Sequence, residues 1–102
     1  MSTQVPRGLT DSIRYLQLRR NNLTSLRAQS FTDCPYINIL VLDENQIEQV
    51  EDATFERMFH LQQLWLNDNR LGEVPRRLPP SLKRLLLDAN RIRQLANVFP
   101  PR

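Results

Sequence analysis

Apolar and polar positions alternate along this chain in a fixed, recurring frame. Leu61, Leu64, Leu66 and Leu71 are spaced as L-x-x-L-x-L-x-x-N-x-L, with Asn69 at the one invariant polar position. The same frame holds Ile13, Leu16, Leu18, Asn21 and Leu23, then Ile37, Leu40, Leu42, Asn45 and Ile47, and later Leu82, Leu85, Leu87, Asn90 and Ile92. The four copies start at Ile13, Ile37, Leu61 and Leu82, in steps of 24, 24 and 21 residues. Inside each copy the Leu-x-Leu alternation has the period of a strand, which sends Leu16 and Leu18 to one side and Gln17 to the other. The Asn then closes the strand, and the remaining residues must bring the chain back to begin the next one.

The return halves come in two kinds. Leu26-x4-Phe31-x2-Cys34-x2-Ile37 and Val50-x4-Phe55-x2-Met58-x2-Leu61 match position for position. The shorter step substitutes Val74-Pro75-x2-Leu78-Pro79. Prolines at both ends of such a short run rule out a long helix and favour an extended, polyproline-like or short 3-10 return. The opening Val5-Pro6-Arg7-Gly8-Leu9 parallels Val74-Pro75-Arg76-Arg77-Leu78, so residues 4–12 read as the tail of an earlier repeat. Full repeats follow at 13–36, 37–60 and 61–81. Residues 82–102 form a partial last one, where Leu95 fits the frame and Phe99 falls one place early. The whole of 1–102 is a single domain.

This frame is the signature of leucine-rich repeats, and the chain resembles an extracellular leucine-rich repeat protein. The fold it implies is a β-rich solenoid of the α/β horseshoe type, with parallel strands on the concave side. One repeat cannot bury its own apolar face; its neighbours complete the core. Asn21, Asn45, Asn69 and Asn90 are then expected to form a structural ladder, each bonding backbone of its own and the adjacent repeat, because a buried amide must satisfy its donors and acceptor. Phe31 and Phe55 fall in register and should stack. Cys34 aligns with Met58 and reads as a small buried hydrophobe.

The outward residues define the candidate surface. Gln17, Val41, Trp65 and Leu86 lie between the core leucines. Tyr15, Ile39, Gln63 and Arg84 precede them on the same face, and Arg19, Asp43, Asn67 and Asp88 follow. The expected binding face is an apolar stripe of Ile39, Val41, Trp65 and Leu86, flanked by Tyr15, Arg19 and Arg84, with acids at Asp43 and Asp88. A Trp turned to solvent among aliphatic neighbours suits a protein-interaction hot spot; ordinary surface scatter or a neighbouring segment is the bland explanation.

Charge changes the picture modestly. The net charge of +3 rests on thirteen arginines and one lysine, Lys83. Arginine suits forked contacts to carboxylate, sulfate or phosphate. Arg76, Arg77, Lys83 and Arg84 are a candidate basic patch for a sulfated glycosaminoglycan, or simply a solvated face. Basic residues interleaved with acids along the repeats argue against nucleic acid. No apolar run reaches the length of a membrane span. With glycines only at Gly8 and Gly72, no phosphate-cradling loop can form, and there is no zinc spacing or Ser/His/Asp set. His60 has no second histidine to form a metal pair. The sequence therefore reads as non-enzymatic, with no cofactor. Asn22-Leu23-Thr24 is an acceptor triplet for N-glycosylation, with Asn22 able to face outward while Asn21 turns in.

The short-long-long rhythm, with Val-Pro tails bounding two 24-residue repeats, is similar to that of the small leucine-rich proteoglycans. That resemblance implies a secreted matrix protein that binds collagen or growth factors. It also implies terminal cysteine clusters and glycosaminoglycan on Ser-Gly sites. Here the lone Cys34 cannot form a disulfide cap, and Gly8 and Gly72 follow Arg7 and Leu71 rather than serine. A fragment or short isoform fits these departures, and uncapped ends would expose core leucines to self-association. A structural piece of a larger ectodomain, or a cytoplasmic repeat adaptor that needs neither leader nor caps, are the competing readings. The absence of an apolar leader after Met1 would suit the last.

Overall fold

The computed structural model describes residues 4–93. Among these residues the strands run in the order β1 (Tyr15–Gln17), β2 (Ser25–Leu26), β3 (Ile39–Val41), β4 (Gln49–Val50), β5 (Gln63–Trp65) and β6 (Arg84–Leu86). β1, β3, β5 and β6 form one parallel sheet in that order, and β2 pairs with β4 in a second. Tyr15 pairs with Ile39, Ile39 with Gln63 and Gln63 with Arg84, so equivalent residues of successive repeats stand side by side. The backbone ladder outlasts the strands. Leu18, Leu42 and Leu66 donate to Val41, Trp65 and Leu86 carbonyls at 2.8 Å each. No helix occurs among the described residues. The returns are single turns closed by bonds between residues three apart, such as Cys34 N–H to Phe31 C=O at 3.1 Å and Met58 N–H to Phe55 C=O at 3.1 Å. The short 3-10 segments expected there are thus reduced to isolated turns. Leu95 and Phe99 lie outside the described residues.

The strands end at a sharp turn. Arg20, Glu44, Asp68 and Ala89, each one residue before an Asn of the repeat frame, have φ of 57°, 57°, 57° and 56°. This left-handed conformation costs a residue with a Cβ about 1–2 kcal/mol, so something must hold it. The asparagines do. Asn69 donates from Nδ2 to the carbonyls of Leu66, Asn67 and, in the preceding repeat, Leu42, at 3.2, 3.1 and 3.0 Å; its Oδ1 accepts from Ile47 N–H at 3.0 Å. Asn45 repeats the pattern on Leu42, Asp43, Leu18 and Leu23, and Asn90 on Leu87, Asp88, Leu66 and Leu71. Asn21, in the first repeat, bonds among the described residues only the Leu18 and Arg19 carbonyls. A second left-handed position marks the short returns: Gly8 at φ 82° and Arg77 at φ 53° are the register-matched residues of the two Val-Pro-Arg-x-Leu segments.

The core lies between the main sheet and the returns. Leu40, Leu42, Leu64 and Leu66 are fully buried, while Leu16, Leu18, Leu85 and Leu87 at either end are partly covered. Phe31 and Phe55 stack with ring centroids 6.1 Å apart and planes 21° from parallel. Cys34 is buried beside them as a free thiol.

Two measurements check this packing. Leu64→Ala removes a fully enclosed side chain and should cost about 2–5 kcal/mol in a denaturant titration. Burial, reinforced by the negative charge of Asp33, raises the Cys34 thiol above its ordinary value of 9.0. The unfolded chain therefore sheds this proton first, and the contribution to stability, complete below 9.0, fades as pH rises through and beyond that value. Cys34→Ala should flatten the alkaline fall of the unfolding midpoint; an unchanged slope would show the thiol to be solvated.

Candidate functional site

The face of β1, β3, β5 and β6 opposite the core is built from outward residues of successive repeats. Tyr15, Gln17, Ile39, Val41, Gln63 and Trp65, together with Arg19, line a groove of about 440 Å³. Ile39 and Val41 form its floor on the central strand β3, because parallel pairing sets them between Tyr15 and Gln17 on one side and Gln63 and Trp65 on the other. Val41 is only 7% exposed, where strand alternation alone predicted an open position. A short β-branched side chain flanked by Gln17 and Trp65 in register is screened by its longer neighbours. Trp65 is half-buried for the same reason, Leu86 is half-buried on β6, and Tyr15 at the first strand is 60% exposed.

Trp65 is held on two sides. Its Nε1–H donates to Gln63 Oε1 at 3.1 Å, and the Arg84 guanidinium lies 5.8 Å from its ring centre. The indole N–H is satisfied within the protein, so what it offers a partner is the ring. A cation over the ring adds attraction of roughly 0.5–1 kcal/mol at an exposed site.

The column that follows the strands differs from the sequence expectation. Asp43 is 3% exposed, and its Oδ1 accepts from Asn67 N–H at 2.7 Å. Asn67 Oδ1 in turn accepts from Asp88 N–H at 2.8 Å. Asp43 and Asn67 thus make a second side-chain ladder parallel to the asparagine one, while in the first repeat Gln17 Oε1 only takes the Arg19 N–H of its own strand end, at 2.6 Å. Asp43 also neutralises Arg19 at 3.9 Å, while Glu44 binds Arg19 at 2.9 Å and Arg20 at 3.2 Å. Asp43 and Asn67, expected to face a ligand, are therefore committed to the turn; Asp88 is the exposed carboxylate of the column. The recurrence of a short polar acceptor two residues after the central strand position was the available signal.

The basic residues separate. Arg77 reaches Glu56 of the preceding return at 3.9 Å, while Arg84 covers Trp65 on the groove. Arg76 and Lys83 are exposed. A row overlooked in the sequence runs just ahead of the strands: Arg14 sits 5.2 Å from the Tyr36 ring centre, Tyr36 meets His60 edge-on at 5.3 Å, and Phe59 is 62% exposed beside them. The ring partner of His60, Tyr36, comes from the previous repeat.

A family model described as leucine rich repeat matches residues 11–71, more than half of the chain and all of the groove-lining positions. The chain belongs to the leucine-rich repeat family. Among its similar proteins, osteomodulin of Rattus norvegicus is 36% identical over 85 residues, 81% of this chain and 20% of the relative. Prolargin of Bos taurus is 37% identical over 75 residues, covering 74% and 20%, and mimecan of Mus musculus is 38% identical over 88 residues, covering 83% and 29%. These relatives are small leucine-rich proteoglycans, so the likeness read from the short-long-long rhythm stands. The leucine-rich repeat chain spans less than a third of the length of each.

The second ladder separates structural from available carboxylates. Asp43→Ala strands the Asn67 N–H and frees a buried site, and should destabilise the fold by about 1–3 kcal/mol. Asp88→Ala, at an exposed position, should stay within about 0.5 kcal/mol of the parent. Equal unfolding midpoints for the two variants would contradict the ladder.

Proposed function

We propose that this chain is a non-enzymatic protein-binding module of the extracellular matrix, presenting the groove around Trp65 to a matrix protein such as collagen or to a growth factor. The observation that carries the reading is the groove itself: an apolar floor of Ile39 and Val41 between Tyr15 and a half-buried Trp65, on a sheet held rigid by two side-chain ladders. Rigid aromatic groups that are already partly desolvated lose little freedom on docking, which is why they dominate interface energies. The proteoglycan relatives, which are matrix proteins of a structural or binding kind, support an extracellular setting and a binding role. No helix among the described residues is long and apolar enough to cross a membrane.

A sulfated glycosaminoglycan at Arg76, Arg77, Lys83 and Arg84 has weaker support, since Arg77 already pairs with Glu56 and Arg84 covers Trp65. The groove reading is tested with immobilised fibrillar collagen and a panel of matrix growth factors. Trp65→Ala should weaken capture of the bound member at least about tenfold, the equivalent of 1.4 kcal/mol, while its thermal unfolding stays cooperative. Unchanged affinity in a folded Trp65→Ala chain would remove the groove from the account. Retention on heparin that falls with Arg76 and Arg77 neutralisation, but not with Trp65→Ala, would move the site to the basic residues.

A further inference from the structure

We infer that the strand-start rim of the sheet docks an acidic polypeptide segment carrying apolar side chains, on the row formed by Arg14, Tyr36, Phe59, His60 and Lys83. None of these residues lines the groove, so the rim is a separate surface and does not depend on what the groove binds. The register builds the row. Tyr15, Ile39, Gln63 and Arg84 stand side by side, so Arg14, Asn38, Gln62 and Lys83, one place earlier, follow one another across the strand starts. Three places before the paired residues come Ser12, Tyr36, His60 and Ser81. Ser81 turns inward, and its hydroxyl donates to the Leu61 carbonyl at 2.8 Å. Tyr36 and His60 are exposed instead, and their rings meet edge-on at 5.3 Å, close to one strand spacing. The Arg14 guanidinium lies 5.2 Å from the Tyr36 ring centre.

Internal packing accounts for Tyr36, which Arg14 and His60 hold in place, but not for its neighbour. Phe59 is 62% exposed, at a position that proline fills in the adjacent repeats, Pro35 and Pro80. Tyr15, Tyr36 and Phe59 are the large hydrophobic side chains exposed among the described residues, and all belong to the first strand position or to the turns that lead into the strands. Single exposed rings are ordinary; rings gathered on one rim mark a contact surface. Charge then selects the partner. Arg14 and Lys83 are exposed and form no ion pair among the described residues. Asp11 meets Arg14 through its backbone carbonyl, at 2.8 Å, and not through its carboxylate. The two cations end the row, three strand spacings or about 14 Å apart, with the rings between them. An extended peptide covers that span in about four residues, placing a carboxylate at each cation and apolar side chains on the rings. A sulfated polysaccharide has dense charge and no apolar side chains, and two isolated cations suit it less.

The full chain is titrated into a fluorescein-labelled peptide in which two glutamates bracket phenylalanine and leucine, and anisotropy is read. The same peptide with lysine for glutamate, polyglutamate and a heparin oligosaccharide are run beside it. The glutamate peptide should bind, less tightly as salt rises. Phe59→Ser should weaken binding about fivefold or more, through loss of an apolar ring, and Arg14→Gln about threefold or more, through loss of a screened charge. Trp65→Ala, in the groove, should leave it unchanged. In the parent chain the aromatic proton resonances of Tyr36 and Phe59 should shift during the titration, which locates the contact even where a variant unfolds. Absence of binding, equal binding of polyglutamate or the lysine peptide, still resonances, or full affinity in folded F59S and R14Q overturns the assignment. Heparin binding that R14Q weakens and F59S does not, with the glutamate peptide unbound, would give the rim to a polysaccharide and overturn it as well.

Discussion

A buried polar backbone must be hydrogen-bonded, and in this protein the place where that demand is hardest to meet is the turn that ends each strand. The chain there passes through a left-handed residue that is not glycine, Arg20, Glu44, Asp68 or Ala89, and leaves carbonyls pointing inward. One asparagine per repeat resolves both problems. Its amide nitrogen collects carbonyls from two repeats and its oxygen accepts an N–H from the repeat before, so turn geometry and inter-repeat spacing are fixed by a single side chain. An unmet buried group would cost about 1–3 kcal/mol, and several converge at Asn69. Only a residue with both donor and acceptor on a short stem satisfies them together.

From that constraint the rest follows. Once equivalent turns are locked at the same height, the strands must pair in register, and the core leucines meet their counterparts. The outward residues then stand in columns about 4.8 Å apart. The groove is therefore not assembled by loops. It is the outer side of the same register that closes the core, and Trp65 meets Val41 for the reason that Leu64 meets Leu40. A side chain such as Gln63 can then be positioned to hold the indole, and Arg84 to lie over it, because β5 and β6 have no freedom to slide.

Much of this was legible in the residues. The leucine and asparagine spacing gave the strands, their stacking and the ladder; matching return halves gave the Phe31–Phe55 pair and the burial of Cys34. What escaped were effects of neighbours rather than of pattern. Alternation says which way Val41 points, but not that Gln17 and Trp65 close over it. Charge says that Asp43 is acidic, but not that its carboxylate is spent on the Asn67 N–H and Arg19. Adjacent basic residues in the sequence, Arg76, Arg77, Lys83 and Arg84, look like one patch until the return and strand carry Arg77 to Glu56 and Arg84 to Trp65. Arg77 shows the same limit in the backbone: it shares a left-handed conformation with Gly8, and the parallel between the two segments does not reveal that conformation.

The chain has a single tryptophan, and it lines one side of the groove, so its fluorescence reports on that face directly. The most direct test is iodide quenching of Trp65 emission, alone and with a captured collagen or growth factor, corrected with a Trp65→Phe chain carrying the same partner. A partner seated in the groove should shield the indole and lower the quenching constant severalfold. Full binding with quenching unchanged from the free chain would place the partner elsewhere on the solenoid and contradict the groove reading.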